Sequence, residues 1–362
     1  MSQVLNTIVE QRRRRVAELR GQYRDLNAQA LPRSTRSLRA GLAAGDAFIL
    51  ECKSASPSLG SIRPDYRPQE LARIYSRYAA GISVLTEPDH FGGCYAHLQT
   101  VALNTHLPVL CKDFIVDEVQ ILAARYYGAD AILLMLSVLD DAEYRRLSAL
   151  AGSLGLDILT EVSTEEEMQR AAALEAGIIG INHRDLRDLS IDLERSARLA
   201  PLAPGGALLV AESGLKDNAA IRQVAPRVSG FLVGSSLCLQ PDIDRAARRL
   251  IYGEHKVCGL TTPEAAQAAA AAGAVYGGLI FAPQSPRCLT LGAAQAITRA
   301  APELDYVAVY TRHDPAGALA LAAQLPLFAL QLHGQQSAAF IQTLRASPVS
   351  YTHLTLPTKR IV

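Results

Sequence analysis

The sequence carries almost no net charge, with 36 lysines and arginines against 35 aspartates and glutamates, +1 overall. The global field that would steer the molecule onto nucleic acid or lipid is therefore missing. No apolar run reaches the length of a membrane-spanning helix. The start, MSQVLNTIVEQRRRR, places its charge after the apolar stretch and shows no cleavage-site pattern, so no signal peptide is expected. None of the six cysteines (Cys52, Cys94, Cys111, Cys238, Cys258 and Cys288) forms a C-x-x-C pair. The eight histidines never pair at metal-ligand spacing. These absences imply a cytoplasmic protein with reduced, mostly buried cysteines, no metal and no cofactor. The basic run Arg12 to Arg15 lies in a stretch whose apolar residues Val4, Ile8, Val9, Val16 and Leu19 have helical spacing. It reads as a solvated helix face.

What the chain does have is material for a large core. Hydrophobic residues make up 49% of 362 positions, enough for two domains. Short apolar runs alternate with amphipathic segments: FILECK (48–53), ISVLT (82–86), VLCKDF (109–114), AILLMLSV (131–138), DILTEV (157–162), IIGIN (178–182), ALLVAES (207–213) and FLVGSS (231–236). Nearly continuous apolar strands are buried on both faces, as in parallel sheets. Strand then helix, repeated eight times, is the form of a closed (β/α)8 TIM barrel. A doubly wound open sheet is the alternative, but the glycine-rich first turn it usually carries is absent after FILECK. Residues 1–47 read as an N-terminal helical extension that could cap the barrel, and 48–255 as the barrel itself. A second series, KVCGL, YGGLIF (276–281), YVAVY (306–310) and LFALQLHG (327–334), gives four more βα units over 256–346, half of what closure needs. Residues 347–362 read as an unrelated tail.

Working residues in this fold sit at the carboxyl ends of the strands. There the first barrel has Glu51 and Lys53, Lys112, Glu161, Asn182, and Glu212 with Ser213. One such residue reads equally well as a structural rim ion pair. Five charges at equivalent strand ends read better as one site, because buried charges need partners. The small residues of ESG (212–214) and GSS (234–236) follow the seventh and eighth strands, where backbone N–H groups of this fold hold phosphate. Lysines, carboxylates and a phosphate grip suit carbon–carbon chemistry on a sugar-phosphate derivative, by acid–base catalysis or through a Schiff-base lysine.

The motifs ECKSASPS (51–58), CKDFIVDEVQI (111–121), LLMLSVLDD (133–141), GINHRDL (180–186), AESG and GFLVGSS resemble indole-3-glycerol phosphate synthase, in order, over residues 1 to 255. The resemblance implies ring closure of 1-(2-carboxyphenylamino)-1-deoxyribulose 5-phosphate with loss of CO2 and water. It implies that Lys112 is the general acid, Glu161 the base or proton relay, and Lys53 the holder of the substrate carboxylate. Glu51 would orient Lys53. Asn182, Glu212 and Ser213 would position the substrate, while Ser56, Gly214, Gly234 and Ser235 grip its phosphate. Arg184 would brace the site and Phe114 pack on the aromatic ring. Three positions depart from the family: Ser54 and Leu59, where it often carries basic residues, and His183, where asparagine is common.

The second series resembles phosphoribosylanthranilate isomerase through KVCGLT, YGGLIF, SPRCL and LQLHG. That resemblance implies Cys258 as general base, with Arg287 and His333 at the substrate site. The aspartate acid and the phosphate loops of that family belong to later strands, so a truncated half with little or no isomerase activity is expected. The expected partner is a phosphorylated small molecule, not nucleic acid or membrane, and the expected state is a monomer. A non-catalytic phosphate-binding barrel, or another phosphosugar lyase or isomerase, would share the phosphate site. The lyase or isomerase would not need Lys53, and a mere binder would not need both Lys112 and Glu161.

Overall fold

A computed structural model describes residues 3–57, 60–63, 65–185, 188–334 and 336–346. Leu59 and the stretch 347–362 lie outside the described residues. The chain divides into two compact units, residues 1–251 and 252–362.

In the first unit the apolar runs form β1 (Ala47–Cys52), β2 (Gly81–Leu85), β3 (Val109–Lys112), β4 (Ala131–Met135), β5 (Asp157–Val162), β6 (Ile178–Asn182), β7 (Leu208–Glu212) and β8 (Gly230–Val233). All eight are parallel, and β1 pairs with both β2 and β8, so the sheet closes into a barrel. The strands read as continuous apolar runs because both faces are covered: every residue of β1, β2, β4, β6 and β8 is buried. Outside the ring lie amphipathic helices. Asp117 and Asp140 start two of them with capping boxes, each side chain taking a backbone N–H while Gln120 or Glu143 returns the bond. No helix among the described residues is long and apolar enough to cross a membrane.

The basic run departs from a solvated helix face at Arg12. It lies on α1 (Gln3–Gln22), where successive residues are turned by about 100°, so four adjacent arginines cannot share one environment. Arg14 stays in solvent, with its side chain 80% exposed. Arg12 turns inward and is buried in an ion pair with Asp113, the residue after Lys112. Arg13 pairs with Glu143 at 3.1 Å, Arg15 with Asp89 at 2.6 Å and Arg20 with Asp117 at 2.6 Å. Tyr23, just past α1, packs edge-on against Tyr95 and Tyr127. The run thus keeps a solvated outer face, while the buried Arg12 and the surface pairs of Arg13 and Arg15 tie α1 to residues that follow the strand ends.

In the second unit β9 (Lys256–Cys258), β10 (Tyr276–Phe281), β11 (Asp305–Tyr310) and β12 (Leu327–Leu332) form one parallel sheet in that order. Alanine-rich helices such as Pro263–Ala271 and Leu291–Ala300 pack on it. This agrees with an incomplete second barrel. Three of the six cysteines are buried (Cys52, Cys111, Cys238), but Cys258 and Cys288 in this unit are exposed, so burial is less general than expected.

Candidate active site

The strand ends of the first barrel converge on a cavity of about 530 Å³. Leu133, Met135 and Leu232 give it an apolar lining, and the charged residues stand among them. Lys53, one residue past β1, sets its Nζ 2.6 Å from Glu51 Oε1. Lys112, the last residue of β3, sets its Nζ 3.3 Å from Glu212 Oε2 and 3.6 Å from Glu161 Oε2. Asn182 Nδ2 donates to Glu161 Oε1 at 3.0 Å, and Asn182 Oδ1 accepts the Arg184 backbone N–H at 3.0 Å. The five charged residues singled out from the strand ends therefore meet over one opening.

Burial and charge compete in this cluster. Burial alone lowers the Lys112 ammonium's pKa, but the combined field of Glu212, Glu161 and Glu51 wins and raises it well above the ordinary lysine value. Lys112 therefore stays protonated, as an acid must. Burial raises Glu51, yet Lys53 and Lys112 overcome this and leave it below the usual carboxylate range. Glu212 goes the other way. Burial, with Glu161 and Glu51 nearby, outweighs the pull of Lys112 and pushes it up to about 7. Its Oε1 is buried without a hydrogen-bond partner.

The next two strand ends line the same cavity with Ser213, Gly214, Gly234 and Ser235. Ser213 and Gly214 take successive left-handed conformations, φ +67° and +77°. A side chain at 214 would be strained by that φ and would strike Ile191. A Cβ at Gly234 would overlap the Glu51 carboxylate, so the glycine is needed for close approach. Phe114 lies beside Phe91, ring centroids 6.1 Å apart, and both line the cavity. Arg184 Nη1 donates to the Leu189 carbonyl at 3.0 Å, and burial lowers its pKa. Ser56 lines a smaller adjoining cavity together with Lys53, Phe114, Arg184, Ser235 and, from α1, Leu5 and Ile8. At the first family departure, Ser54 Oγ donates to the carbonyls of Phe91 and Gly92 and ties two mouth loops together.

Sequence reading missed Phe91, Ile191 and Lys216, all of which line the cavity. Lys216 had a usable signal, a cation two residues past ESG. Phe91 ends a four-residue helix (Pro88–Phe91) and Ile191 forms an isolated bridge with Arg184, and neither has a pattern that marks it.

In the second unit, Cys258 ends β9 and is exposed. Arg287 reaches it: Arg287 Nη1 donates to the Cys258 carbonyl at 3.0 Å. His333 follows β12, and its Nε2 lies 3.2 Å from Gln331 Nε2. The Gln331 side-chain oxygen accepts from Lys256 Nζ on β9, a bond that spans the whole sheet. Lys256 and Gln331 were not foreseen from sequence.

The fold and the site together define a TIM-barrel enzyme whose mouth joins buried lysine–glutamate pairs to small-residue loops suited to an anion. The model of indole-3-glycerol phosphate synthase matches residues 5–250, and that of N-(5'-phosphoribosyl)anthranilate (PRA) isomerase matches 255–358. Among similar proteins is the tryptophan biosynthesis protein TrpCF of Corynebacterium glutamicum, 57% identical over 333 residues, which are 91% of this chain and 70% of that protein. The protein of the same name from Salmonella typhi is 51% identical over 299 residues, 83% of this chain and 66% of its own length. That of Vibrio cholerae is 48% identical over 318 residues, 88% and 68% respectively. The chain belongs to the indole-3-glycerol phosphate synthase family and is an enzyme of that carboxy-lyase class. The expectation that the second unit is a truncated, inactive isomerase finds no support in these comparisons, since the isomerase match runs on past Ser347 to residue 358.

Proposed function

We propose that the first unit closes the indole ring of 1-(2-carboxyphenylamino)-1-deoxyribulose 5-phosphate, releasing CO2 and water, within tryptophan biosynthesis. The observation that carries this reading is the Lys112 ammonium held between the Glu212 and Glu161 carboxylates at the rim of a closed barrel. The aryl carbon bearing the carboxylate attacks the ketone carbon, and Lys112 gives its proton to the ketone oxygen as the new bond forms. Lys53, oriented by Glu51, holds the carboxylate until the ring carbon–carboxylate bond breaks and its electrons restore the ring. Lys53, freed of the carboxylate, gives the proton with which the hydroxyl leaves as water, and Glu161 takes the hydrogen lost from the neighbouring ring carbon. Asn182 fixes Glu161, and Glu212 holds Lys112. The phosphate lies against Ser213, Gly214, Gly234 and Ser235, with Ser56 and Arg184 beside them, and the aromatic ring against Phe114. The six cysteines, none of them in a disulfide, suit a cytoplasmic place of action.

The second unit enters the same reading as the isomerase-type part of a two-function chain, with Cys258 as base and Arg287 and His333 toward substrate. The test for the first unit is Lys112→Met. Ring closure should fall by roughly 10²–10⁴-fold, the usual worth of a positioned acid, with the fold intact by circular dichroism. Near-normal turnover would remove the assigned acid.

A further inference from the structure

His183 is fully buried and plays no part in the chemistry above, yet it joins three elements of the mouth. Its backbone N–H donates to the Glu212 carbonyl at 2.9 Å, and its own carbonyl accepts the Asp192 N–H at 2.9 Å. Its ring Nδ1 lies 3.0 Å from the Ser213 carbonyl, and Nε2 lies 2.7 Å from Ser196 Oγ on α2 (Arg195–Leu199). A carbonyl only accepts, so Nδ1 must carry the hydrogen. In the neutral ring Nε2 then accepts from the Ser196 hydroxyl. Burial, the largest influence, lowers the pKa of His183 and keeps the ring neutral.

The carbonyl it holds belongs to a residue under strain. Ser213 sits at φ +67°, which side chains rarely adopt, and Gly214 follows at +77°. Such a turn persists only where its surroundings fix it. We propose that His183 is a positioning residue that fixes the Ser213–Gly214 turn and braces it through Ser196 against α2. This rests on the reading that the turn receives the substrate phosphate, and it adds the device that shapes the turn. Asparagine, common here in the family, could supply the donor to Ser213 through its amide but is too short to reach Ser196 as well.

The test uses the full chain and the variants His183→Ala, His183→Asn and Ser196→Ala. In the free protein, His183→Ala should speed hydrogen exchange of the amides at 213–215 about tenfold, with that of 208–211 unchanged, as expected for one lost buried hydrogen bond. KM and the inhibition constant of inorganic phosphate should rise about tenfold while kcat stays within about threefold. His183→Asn should recover most of the KM, and Ser196→Ala should give a smaller rise in exchange at the same amides. Unchanged exchange at 213–215 in His183→Ala would overturn the proposal, as would a loss of kcat with KM intact. If His183→Ala fails to fold, Ser196→Ala decides, and wild-type exchange in it would overturn the brace. A wild-type chain that neither turns over nor responds to inorganic phosphate sinks the phosphate reading instead, and the exchange measurement still judges His183.

Discussion

The two units carry reactive residues at equivalent places, the carboxyl ends of parallel strands, but hold them differently. In the first, eight strands close, and Glu51, Lys112, Glu161 and Glu212 are nearly removed from water. Their charges must answer one another, which is why Glu212 rises to about 7 while Glu51 falls. In the second, the described residues form one four-stranded sheet, and Cys258 and Arg287 are exposed. In the first unit, closure of the sheet turns a row of strand-end side chains into an electrostatically coupled site.

The contrast is broken most sharply by removing a charge from the closed site. Glu161→Gln should cut synthase turnover by roughly 10²–10³-fold, checked by steady-state kinetics on protein whose fold is verified by circular dichroism. A variant that keeps its rate would show that the pairing is only structural.

Next in size is the clamp on that site. Arg12→Met leaves Asp113 buried with only Thr86 Oγ1 and the Phe114 N–H as donors. Breaking one side of a buried pair costs about 3–5 kcal/mol, to be read by urea denaturation. A loss under about 1 kcal/mol would mean that α1 is a passive cover, the usual worth of an exposed pair.

The third effect is a change of profile. Protonated Glu212 no longer balances Lys112, so kcat/KM should rise with pH through the region near 7, while Lys112, raised far above that range, does not titrate there. The inflection belongs to the coupled cluster. Glu212→Gln should flatten it, and a wild-type profile in that variant would reassign the group. The smallest effect is expected across the units: Cys258→Ala should leave synthase turnover within about twofold, as for a change away from the site, while isomerisation of phosphoribosylanthranilate is lost. A large fall in synthase turnover would contradict the separate reading of the two units.

Much of this was legible in the sequence because burial on both faces makes strands apolar and leaves any charge at their ends conspicuous. Lys53, Lys112, Glu161 and Glu212 stood out for that reason, and the structure brings them together. The arginine run was misread at Arg12, because its partner Asp113 lies 101 residues away and no local pattern names it. His183 read as a departure of unknown effect, since its two ring partners come from different elements. Phe91 belongs to a single helical turn and Ile191 to an isolated bridge, both too short for spacing to carry a signal. The Lys256–Gln331 bond depends on how the second sheet curls, which strand order alone does not reveal.

On the proposed reading, the paired lysines and carboxylates of the first unit perform ring closure with decarboxylation. The most direct measurement is to incubate the purified full chain with 1-(2-carboxyphenylamino)-1-deoxyribulose 5-phosphate and follow indole fluorescence and released CO2 together. We predict equimolar indole-3-glycerol phosphate and CO2. Substrate left intact, or rearranged without release of CO2, would contradict it.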